Sequence, residues 1–294
     1  MRANRLRVRE SLYGIGFISP AFILIIAFGI IPLILAMYIS FFDYPLINPA
    51  RREFVGWANY LNAFQNKDFQ KAFINTIYYA LLQMPMQTIL GLILALLIAK
   101  PWKGRNIFWT SYYLPVVMSM VVVSVIWRIM LDSENGIINS VLLWIGLPRQ
   151  PFLTSVSQAL PSLAVMVTWK WVGFTMLIFL AGLKDIPTDY YDAGKVDGAN
   201  TLQGFIFITL PLLKRPLTYV LVANTIAAFK FFTPVYVITK GGPSRSTLSV
   251  IYYMFQEAFS YSRFGYASAI AVVFLIFMLI LAMVQLRMLR SEQE

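Results

Sequence analysis

The sequence predicts an all-α membrane protein with six transmembrane helices. Of its 294 residues, 59% are hydrophobic and only 13% are charged, whereas an ordinary soluble domain is about 25% charged. The apolar residues also fall into long uninterrupted runs. A hydrocarbon layer about 30 Å thick requires roughly 20 apolar residues per helical span. Runs of that length therefore indicate helices that face lipid.

Six apolar segments are long enough to cross a membrane as helices. They are Leu12–Phe42, Ala72–Ala99, Ile107–Leu131, Ala159–Leu183, Pro216–Thr239 and Phe264–Leu286. The first far exceeds the apolar part of a signal peptide, which is about 7–15 residues long, so we expect a retained helix. No linker or internal repeat divides the chain, so residues 1–294 are expected to form a single transmembrane domain.

The basic residues between these spans predict that both termini lie in the cytoplasm. Lys and Arg concentrate in cytoplasmic segments, and more of them fall on the inner side when the N-terminus is placed inside. This inner set is Arg2, Arg5, Arg7, Arg9, Lys100, Lys103, Arg105, Lys184, Lys195, Lys214, Arg215, Arg287 and Arg290. An even number of spans returns the C-terminus to the same side.

The residue types that are absent exclude several functions. The chain has no Cys and no His, which excludes disulfides, thiolate or imidazole metal sites and Ser-His or Cys-His nucleophiles. It has no G-x-x-x-x-G-K-[ST] phosphate-binding loop, so we expect no catalytic residue, no metal and no cofactor in this chain. The net charge is +11, and the basic residues that produce it lie beside the apolar runs. This placement is typical of orientation signals and of contacts with lipid headgroups. No nucleic acid partner is therefore expected.

The segment from Lys184 to Pro216 is longer than the usual helix–helix connection of about 2–8 residues. Its pattern predicts two short helices. Asp189 is placed to cap the first, and Asp192 adds a second carboxylate near the positive end of that helix dipole. Gly198 is expected to end it.

The second short helix also has start and stop signals. Asn200 followed by Gln203 predicts a capping box at its beginning. Pro211 requires the helix to end close by. Two short capped helices would form a rigid projection, which suits the transmission of force to a partner.

The same segment resembles the EAA loop of ABC importer permeases, which has the pattern E-A-A, three residues, Gly, nine residues, then I-x-L-P. The residues at these positions are Asp192, Ala193, Gly194, Gly198, Ile208, Leu210 and Pro211. Two of them depart from the pattern. Asp192 replaces the usual Glu and keeps its charge, whereas Gly194 replaces the usual Ala and loosens the helix by roughly 0.5–1 kcal/mol.

The resemblance extends along nearly the whole chain. The segments Phe54–Tyr60, Gly136–Asn139, Ile178–Leu183, Val235–Pro243 and Phe264–Ala269 follow in the order that the family has. These later segments are similar to the subgroup that imports sugars, oligosaccharides and glycerol phosphates. Within it, the Thr-Lys-Gly-Gly-Pro turn resembles the first permease subunit of the maltose type, which pairs with a distinct second permease.

The resemblance implies a type I ABC importer permease in a prokaryotic inner membrane. Such a subunit forms half of the translocation pathway for a sugar, an oligosaccharide or a related polyol phosphate. The implied partners are a second related permease, two ATP-binding cassette ATPases that use ATP and Mg²⁺, an extracellular solute-binding protein and membrane lipid. We refer to Lys184–Pro216 as the coupling loop, because the resemblance assigns this segment to the ATPase contact.

Three basic residues lie inside the predicted spans, where a charge costs roughly 2.5–3.5 kcal/mol. Arg128 is near the end of its span and can reach the interface. Lys170, between Trp169 and Trp171, and Lys230 lie deeper. Aromatic rings stack on sugar rings and cations bind sugar hydroxyls, so these residues are candidates for the substrate pathway. The alternative is that each lysine snorkels or binds helix carbonyls while the aromatic residues pack.

Asn224 is a further candidate for the pathway. It precedes Lys230 by six residues, which is about 600° around a continuous helix. The two side chains therefore cannot share one face of such a helix, and Asn224 is a separate prediction.

Three other functions were weighed against the sequence: an ion-coupled transporter, a channel and an ABC permease for another solute. An ion-coupled secondary transporter commonly uses Asp, Glu or His within its spans, and the six predicted spans contain none. A channel would show a selectivity ring, which is not visible. An ABC permease for another small solute remains the nearest alternative.

Overall fold

The computed structural model describes residues 15–290 and is mainly helical. The helices are α1 (Ile15–Ile39), α2 (Ala58–Gln65), α3 (Lys67–Ala99), α4 (Arg105–Val117), α5 (Met120–Met130), α6 (Ile137–Trp144), α7 (Ala159–Lys184), α8 (Thr188–Val196), α9 (Thr201–Leu212), α10 (Lys214–Phe229), α11 (Val250–Phe255) and α12 (Phe264–Arg290). Five-residue π-helical turns occur at Ile26–Ile30, Phe205–Thr209, Val235–Thr239 and Gln256–Ser260. A short antiparallel ribbon pairs β1 (Phe42–Asp43) with β2 (Glu53–Phe54).

The helices confirm an all-α membrane protein. Among the described residues, α1, α3, α7 and α12 are each long and apolar enough to cross a membrane. The pairs α4–α5 and α9–α10 also qualify when each bent pair counts as one span, which gives up to six spans. The four N-terminal arginines, on which part of the orientation argument rests, lie outside the described residues, and so does Leu12, where the first predicted span begins. The cytoplasmic location of the termini stays a prediction.

The third predicted span, Ile107–Leu131, is present as a bent pair of helices. The helix breaks between Val117 and Met120, and its two halves, α4 and α5, meet at 105°. Met118 and Ser119 adopt extended backbone conformations at the break. A broken span is tolerated in a membrane only where other groups satisfy the freed carbonyls, and one side chain of α7, Lys170, does so here, as described below.

The fifth predicted span, Pro216–Thr239, also differs from the structure. Its helix α10 begins at Lys214 and ends at Phe229, and Lys230 occupies the C-cap position instead of the interior of a helix. Phe231 and Phe232 are not helical, and helical backbone resumes at Thr233, ahead of the π-helical turn that begins at Val235. The apolar run Pro216–Thr239 is therefore longer than helix α10, which covers only its first part.

The described chain divides into two compact units, each considered by itself. The first contains the residues up to Asn66 together with Met254–Ile276. Within it, the Asn59 amide donates to the carbonyls of Ser40 and Phe42 at 2.9 Å each. This division concerns contacts within the chain, and the single-domain organisation stays a prediction.

The second unit contains Lys67–Tyr253 together with the residues from Phe277 onward. Its core joins α3, α7 and α10 through Leu94, Ala95, Ile98, Val172, Met176, Phe179, Leu180 and Val220. Small residues allow the close approach on which helix association in membranes depends. A Cβ at Gly91 would lie 2.5 Å from Thr175 Cγ2, and a Cβ at Gly173 would overlap the Tyr112 carbonyl.

The loop between α5 and α6 begins with a side-chain turn at Asp132. Its carboxylate accepts hydrogen bonds from the backbone amides of Asn135 at 2.8 Å and Glu134 at 3.0 Å. These bonds stabilise the charged form and hold the pKa of Asp132 below its ordinary value.

The loop that follows the π-helical turn Val235–Thr239 is bound to the first turns of α3. The Asn75 amide donates to the carbonyls of Arg245 at 2.8 Å and Leu248 at 3.1 Å, and Thr76 Oγ1 accepts from the Val250 amide at 3.1 Å. The loop is therefore held in one shape by polar side chains of α3.

Candidate functional site

A cavity of about 280 Å³ lies in the second unit among α3, α5, α7, α10 and the segment that follows α10. Its polar lining comes from Tyr79, Gln83, Gln87, Asn224, Lys230 and Thr233, and its aromatic lining from Tyr79, Trp171, Phe174, Phe231 and Phe232. None of these described lining residues is acidic. The volume is close to the lower end of small-molecule pockets, which hold roughly 300–1,000 Å³.

Buried amides form a network along one side of the cavity. Gln83 donates to Gln87, whose own amide donates to Thr175 Oγ1 at 2.9 Å and to Asn224 Oδ1 at 3.0 Å. Asn224 in turn donates to Thr88 Oγ1 at 3.2 Å. The network joins α3, α7 and α10, so it holds the three helices that surround the cavity in a fixed register.

Two polar atoms in the cavity wall lack hydrogen-bond partners among the described residues. They are the hydroxyl of Tyr79, which is completely buried, and Oε1 of Gln83, which is 2% exposed. The Tyr79 ring stacks on Phe231 with centroids 3.7 Å apart. A buried polar atom without a partner costs about 1–3 kcal/mol. Both atoms are covered by protein in this conformation, so a polar group in the cavity reaches them only when the wall residues move.

Three of the predicted pathway residues line this cavity. Trp171 contributes part of the aromatic wall and packs edge-on against Phe174. Asn224 and Lys230 line the cavity together, which corrects the expectation that they cannot share a face. That expectation assumed a continuous helix, whereas α10 ends at Phe229 and Lys230 turns away from the helical path.

The other two predicted pathway residues do not line the cavity. Trp169 packs against Trp127 with ring centroids 5.6 Å apart. Lys170 is 2% exposed, and its ammonium group donates to three backbone carbonyls at the break between α4 and α5. Lys170 therefore agrees with the alternative interpretation given for it above, in which the lysine binds backbone carbonyls and not substrate.

The sequence reasoning missed the cavity residues on α3. Gln83 and Gln87 are amides four residues apart within an apolar run, and this spacing places them on one helix face. That pattern was the available signal, because amides inside a span require partners. Tyr79 has no comparable signal, since one tyrosine in a span is equally compatible with packing.

The coupling loop folds as its sequence predicts at most positions. α8 ends at Val196 and Gly198 has a φ of +79°. The capping box is confirmed: the backbone amide of Gln203 donates to Asn200 Oδ1 at 2.9 Å and the backbone amide of Asn200 donates to Gln203 Oε1 at 2.8 Å. α9 ends at Leu212, close to the proline that was expected to end it.

The predicted N-cap of α8 is wrong. α8 starts at Thr188 after Pro187, and no side chain caps it. Asp189 lies in the first turn, where it still favours the helix dipole. Asp192 instead forms an exposed ion pair with Lys195 at 2.8 Å, which adds little stability because it is solvated.

Contacts between α8 and α9 make the loop one body. The hydroxyls of Tyr191 and Thr209 are hydrogen-bonded at 3.0 Å. A Cβ at Gly194 would lie 2.9 Å from Ile208 Cδ1, so the glycine that departs from the family pattern allows Ile208 to pack closely on α8.

The remaining motif residues of the loop are exposed. Ala193, Leu210 and Pro211 all face outward. A groove of about 1780 Å³ lies between the loop and the ends of α3 and α4. The two-helix body is therefore packed internally but is not buried against these ends.

Residues 59–291 match the family described as binding-protein-dependent transport system inner membrane component. The match covers most of the chain, so the chain belongs to this family and is an inner-membrane permease subunit.

Two curated relatives agree with this assignment. A probable ABC transporter permease protein, YesP of Bacillus subtilis (strain 168), is 36% identical over 94% of this chain and 90% of its own length. The arabinooligosaccharides transport system permease protein AraP of the same organism is 32% identical over 92% of this chain and 87% of its own length. The fold is also similar to a solved bacterial ABC transporter involved in alginate import, with a TM-score of 0.86, 24% identity and complete coverage of both chains.

Proposed function

We propose that this permease forms half of the translocation pathway for a sugar or an oligosaccharide. It would do so in an importer with a second related permease, two ATPase subunits that use ATP and Mg²⁺, and an extracellular solute-binding protein. The family description supports the binding-protein partner. The arabinooligosaccharide permease, at 32% identity, supports the substrate class.

The cavity is the observation that carries this proposal. Its wall combines flat aromatic rings, Trp171 and Phe174, with the unpaired hydroxyl of Tyr79 and the unpaired Gln83 Oε1. A sugar offers apolar C–H faces to rings and hydroxyls to polar atoms, and it would satisfy both groups when the wall residues move. Lys230, exposed at the cavity, adds a donor for a hydroxyl oxygen.

Uptake by the complete importer in proteoliposomes tests the proposal. With a labelled arabinooligosaccharide as the probe, Tyr79→Phe and Gln83→Leu are expected to raise the KM for uptake about fivefold each, the effect of one lost hydrogen bond of about 1 kcal/mol. Thr168→Val is the matched control, because Thr168 Oγ1 is also buried without a partner among the described residues but does not line the cavity. Equal KM values in all three variants would contradict a substrate role for the cavity.

The coupling loop would dock on one ATPase subunit. The support is its rigidity, from the Tyr191–Thr209 hydrogen bond and the capping box, together with apolar side chains on its surface. Val196 is 88% exposed and Phe207 is 73% exposed. Exposed apolar residues on a rigid surface are typical of a site for protein contact.

Crosslinking tests this docking directly. Because the natural chain has no Cys, Asp192→Cys introduces a single thiol on the exposed face of α8. Treatment of the purified complex with a reagent that carries one maleimide and one photoreactive group, followed by illumination, is expected to link this thiol to an ATPase subunit. A thiol placed instead at Glu134, in the α5–α6 loop, is the control and is expected to give no such product. Equal crosslinking from both positions, or none from Asp192→Cys, would refute the assignment.

The ion-coupled alternative is not retained, since the family assignment places the chain in a binding-protein-dependent system.

A further inference from the structure

Lys170 occupies an unusual position in the middle of the membrane-spanning helix α7. Its side chain is 2% exposed, and its ammonium group donates to Met118 O at 2.8 Å and to the carbonyls of Pro115 and Val116 at 3.2 Å each. The same group lies 4.4 Å from the ring centroid of Trp171. Every donor of the ammonium group therefore has a backbone acceptor.

The three carbonyls belong to the break between α4 and α5. A helix that ends inside a membrane leaves carbonyls without intrahelical donors, and such groups need a partner from the protein. An ammonium group offers three donors on one flexible stem, and here it meets three acceptors. The Pro115 carbonyl also accepts from the Met118 backbone amide at 3.2 Å, and Lys170 supplies a further donor to each of the three carbonyls.

The acceptors lie on both sides of the break. Pro115 and Val116 belong to the last turn of α4, whereas Met118 precedes α5. The two helices are held differently: α4 lies against α7 at the close approach of Gly173, whereas α5 packs on the π-helical turn Val235–Thr239 and meets α7 further along, where Trp127 contacts Trp169. Lys170 is therefore a clamp that ties the start of α5 to α7.

Both ends of this clamp are adjacent to the cavity wall. Met120, two residues after Met118, lines the cavity, and so does Trp171, the next residue after Lys170. The position of the Met120 side chain depends on the direction in which α5 leaves the break. The clamp fixes that direction relative to Trp171.

We propose that Lys170 is a positioning residue for the substrate pathway, which holds the α5 side of the cavity wall against the α7 side through the carbonyls of the broken span. The effect of Lys170 on transport rests on the proposed function of the cavity. The geometry of the clamp itself can be tested without any substrate.

The test uses single cysteines in the naturally Cys-free chain within the complete importer. Met120→Cys reports the α5 wall, and Ala223→Cys reports the α10 wall of the same cavity. The rate of modification by a small soluble maleimide is measured for each in the wild-type, Lys170→Met and Lys170→Arg backgrounds. Arg128→Met, which removes an exposed basic residue of α5, is the control for loss of charge.

We expect Lys170→Met, which removes all three hydrogen bonds, to change the Met120→Cys rate at least about tenfold, since loss of even one charge-assisted bond of about 1.4 kcal/mol corresponds to that factor. The Ala223→Cys rate is expected to stay within about twofold, since the contacts of α10 do not involve the clamp. Lys170→Arg, which retains several donors, is expected to restore most of the wild-type rate. Arg128→Met is expected to change neither rate.

Two results would overturn the proposal. One is an unchanged Met120→Cys rate in the Lys170→Met complex. The other is an equal change at Met120 and Ala223, which indicates general loosening of the helices instead of a clamp at the break. If Lys170→Met fails to assemble, Lys170→Gln, which retains an amide donor, carries the same comparison. Because neither rate depends on transported substrate, failure here is separate from failure of the proposed pathway.

Discussion

The turn at Gly198 offers the sharpest test of the coupling loop. Gly198 has a φ of +79°, and no atom lies within 4 Å of the place where a Cβ would stand. A substitution there acts through backbone strain alone. Side chains in the left-handed region cost about 1–2 kcal/mol, although Asn and Asp tolerate it better. Gly198→Val is therefore expected to shift the equilibrium away from the native turn by about tenfold, at about 1.4 kcal/mol per factor of ten.

The assay compares uptake with ATP hydrolysis in proteoliposomes that contain the complete importer. Gly198→Val is expected to lower the amount of substrate moved per ATP by up to about tenfold, with the permease still inserted. Gly198→Asn is the matched control and is expected to remain near the wild type. Gly198→Asp, which adds a charge beside Asp197, is expected to fall between them. Equal coupling in the Val and Asn variants would refute the strain argument.

Three further predictions concern stability and local structure. Gly173→Ala is expected to destabilise the permease by about 1–3 kcal/mol in thermal unfolding because its Cβ overlaps the Tyr112 carbonyl, whereas Gly204→Ala, with open space around it, is expected to be neutral or stabilising. Asn200→Ala removes the capping box, and amide exchange in the first turn of α9 is expected to rise by the equivalent of about 1 kcal/mol; exchange at the wild-type rate would contradict the cap. Asp132 has a lowered pKa, so its turn is expected to be fully formed above the ordinary pKa and to be lost as the pH falls through the lower, folded one, whereas Asp132→Asn is expected to remove this pH dependence of amide exchange.

The coupling loop was predictable because its signals are local. Gly198, Asn200 and Gln203 each determine the conformation of neighbouring backbone through their own side chains, or through the lack of one. The error at Asp189 has the same origin. A shift of two residues in the start of α8, from Tyr190 to Thr188, moves that carboxylate from the cap into the first turn, and helix ends are the least certain feature of a sequence pattern.

The break in the third span was not predictable from its own residues. Hydropathy is averaged over a window of residues, so it does not detect a change in the direction of the helix axis inside an apolar run. The break is compatible with a membrane because Lys170, more than 50 residues further along the chain, supplies donors to its carbonyls. The basic residue was recognised as exceptional, but its partners are visible only in the folded chain.

The cavity could not be predicted from sequence for the same reason, since its polar side chains are paired with residues far away in the chain. Gln87 bonds to Thr175 and Asn224, which come from two other helices. The aromatic and basic clusters directed attention to Trp171 and Lys230, both of which line the cavity. Gln83 and Gln87, two amides four residues apart in the apolar run of α3, were an equally good signal, but they carry no charge.

The π-helical turn Phe205–Thr209 gives the second helix of the coupling loop a built-in adjustment of register. Such a turn contains one residue more than an α-helical turn, and its ends are continuous with α-helical backbone at Gly204 and Leu210. If the extra residue were passed one turn along the helix, the intervening side chains would rotate by about 100° around the axis. In the proposed docking on an ATPase subunit, force on the loop would act on a segment that has room to change its register while its backbone stays helical.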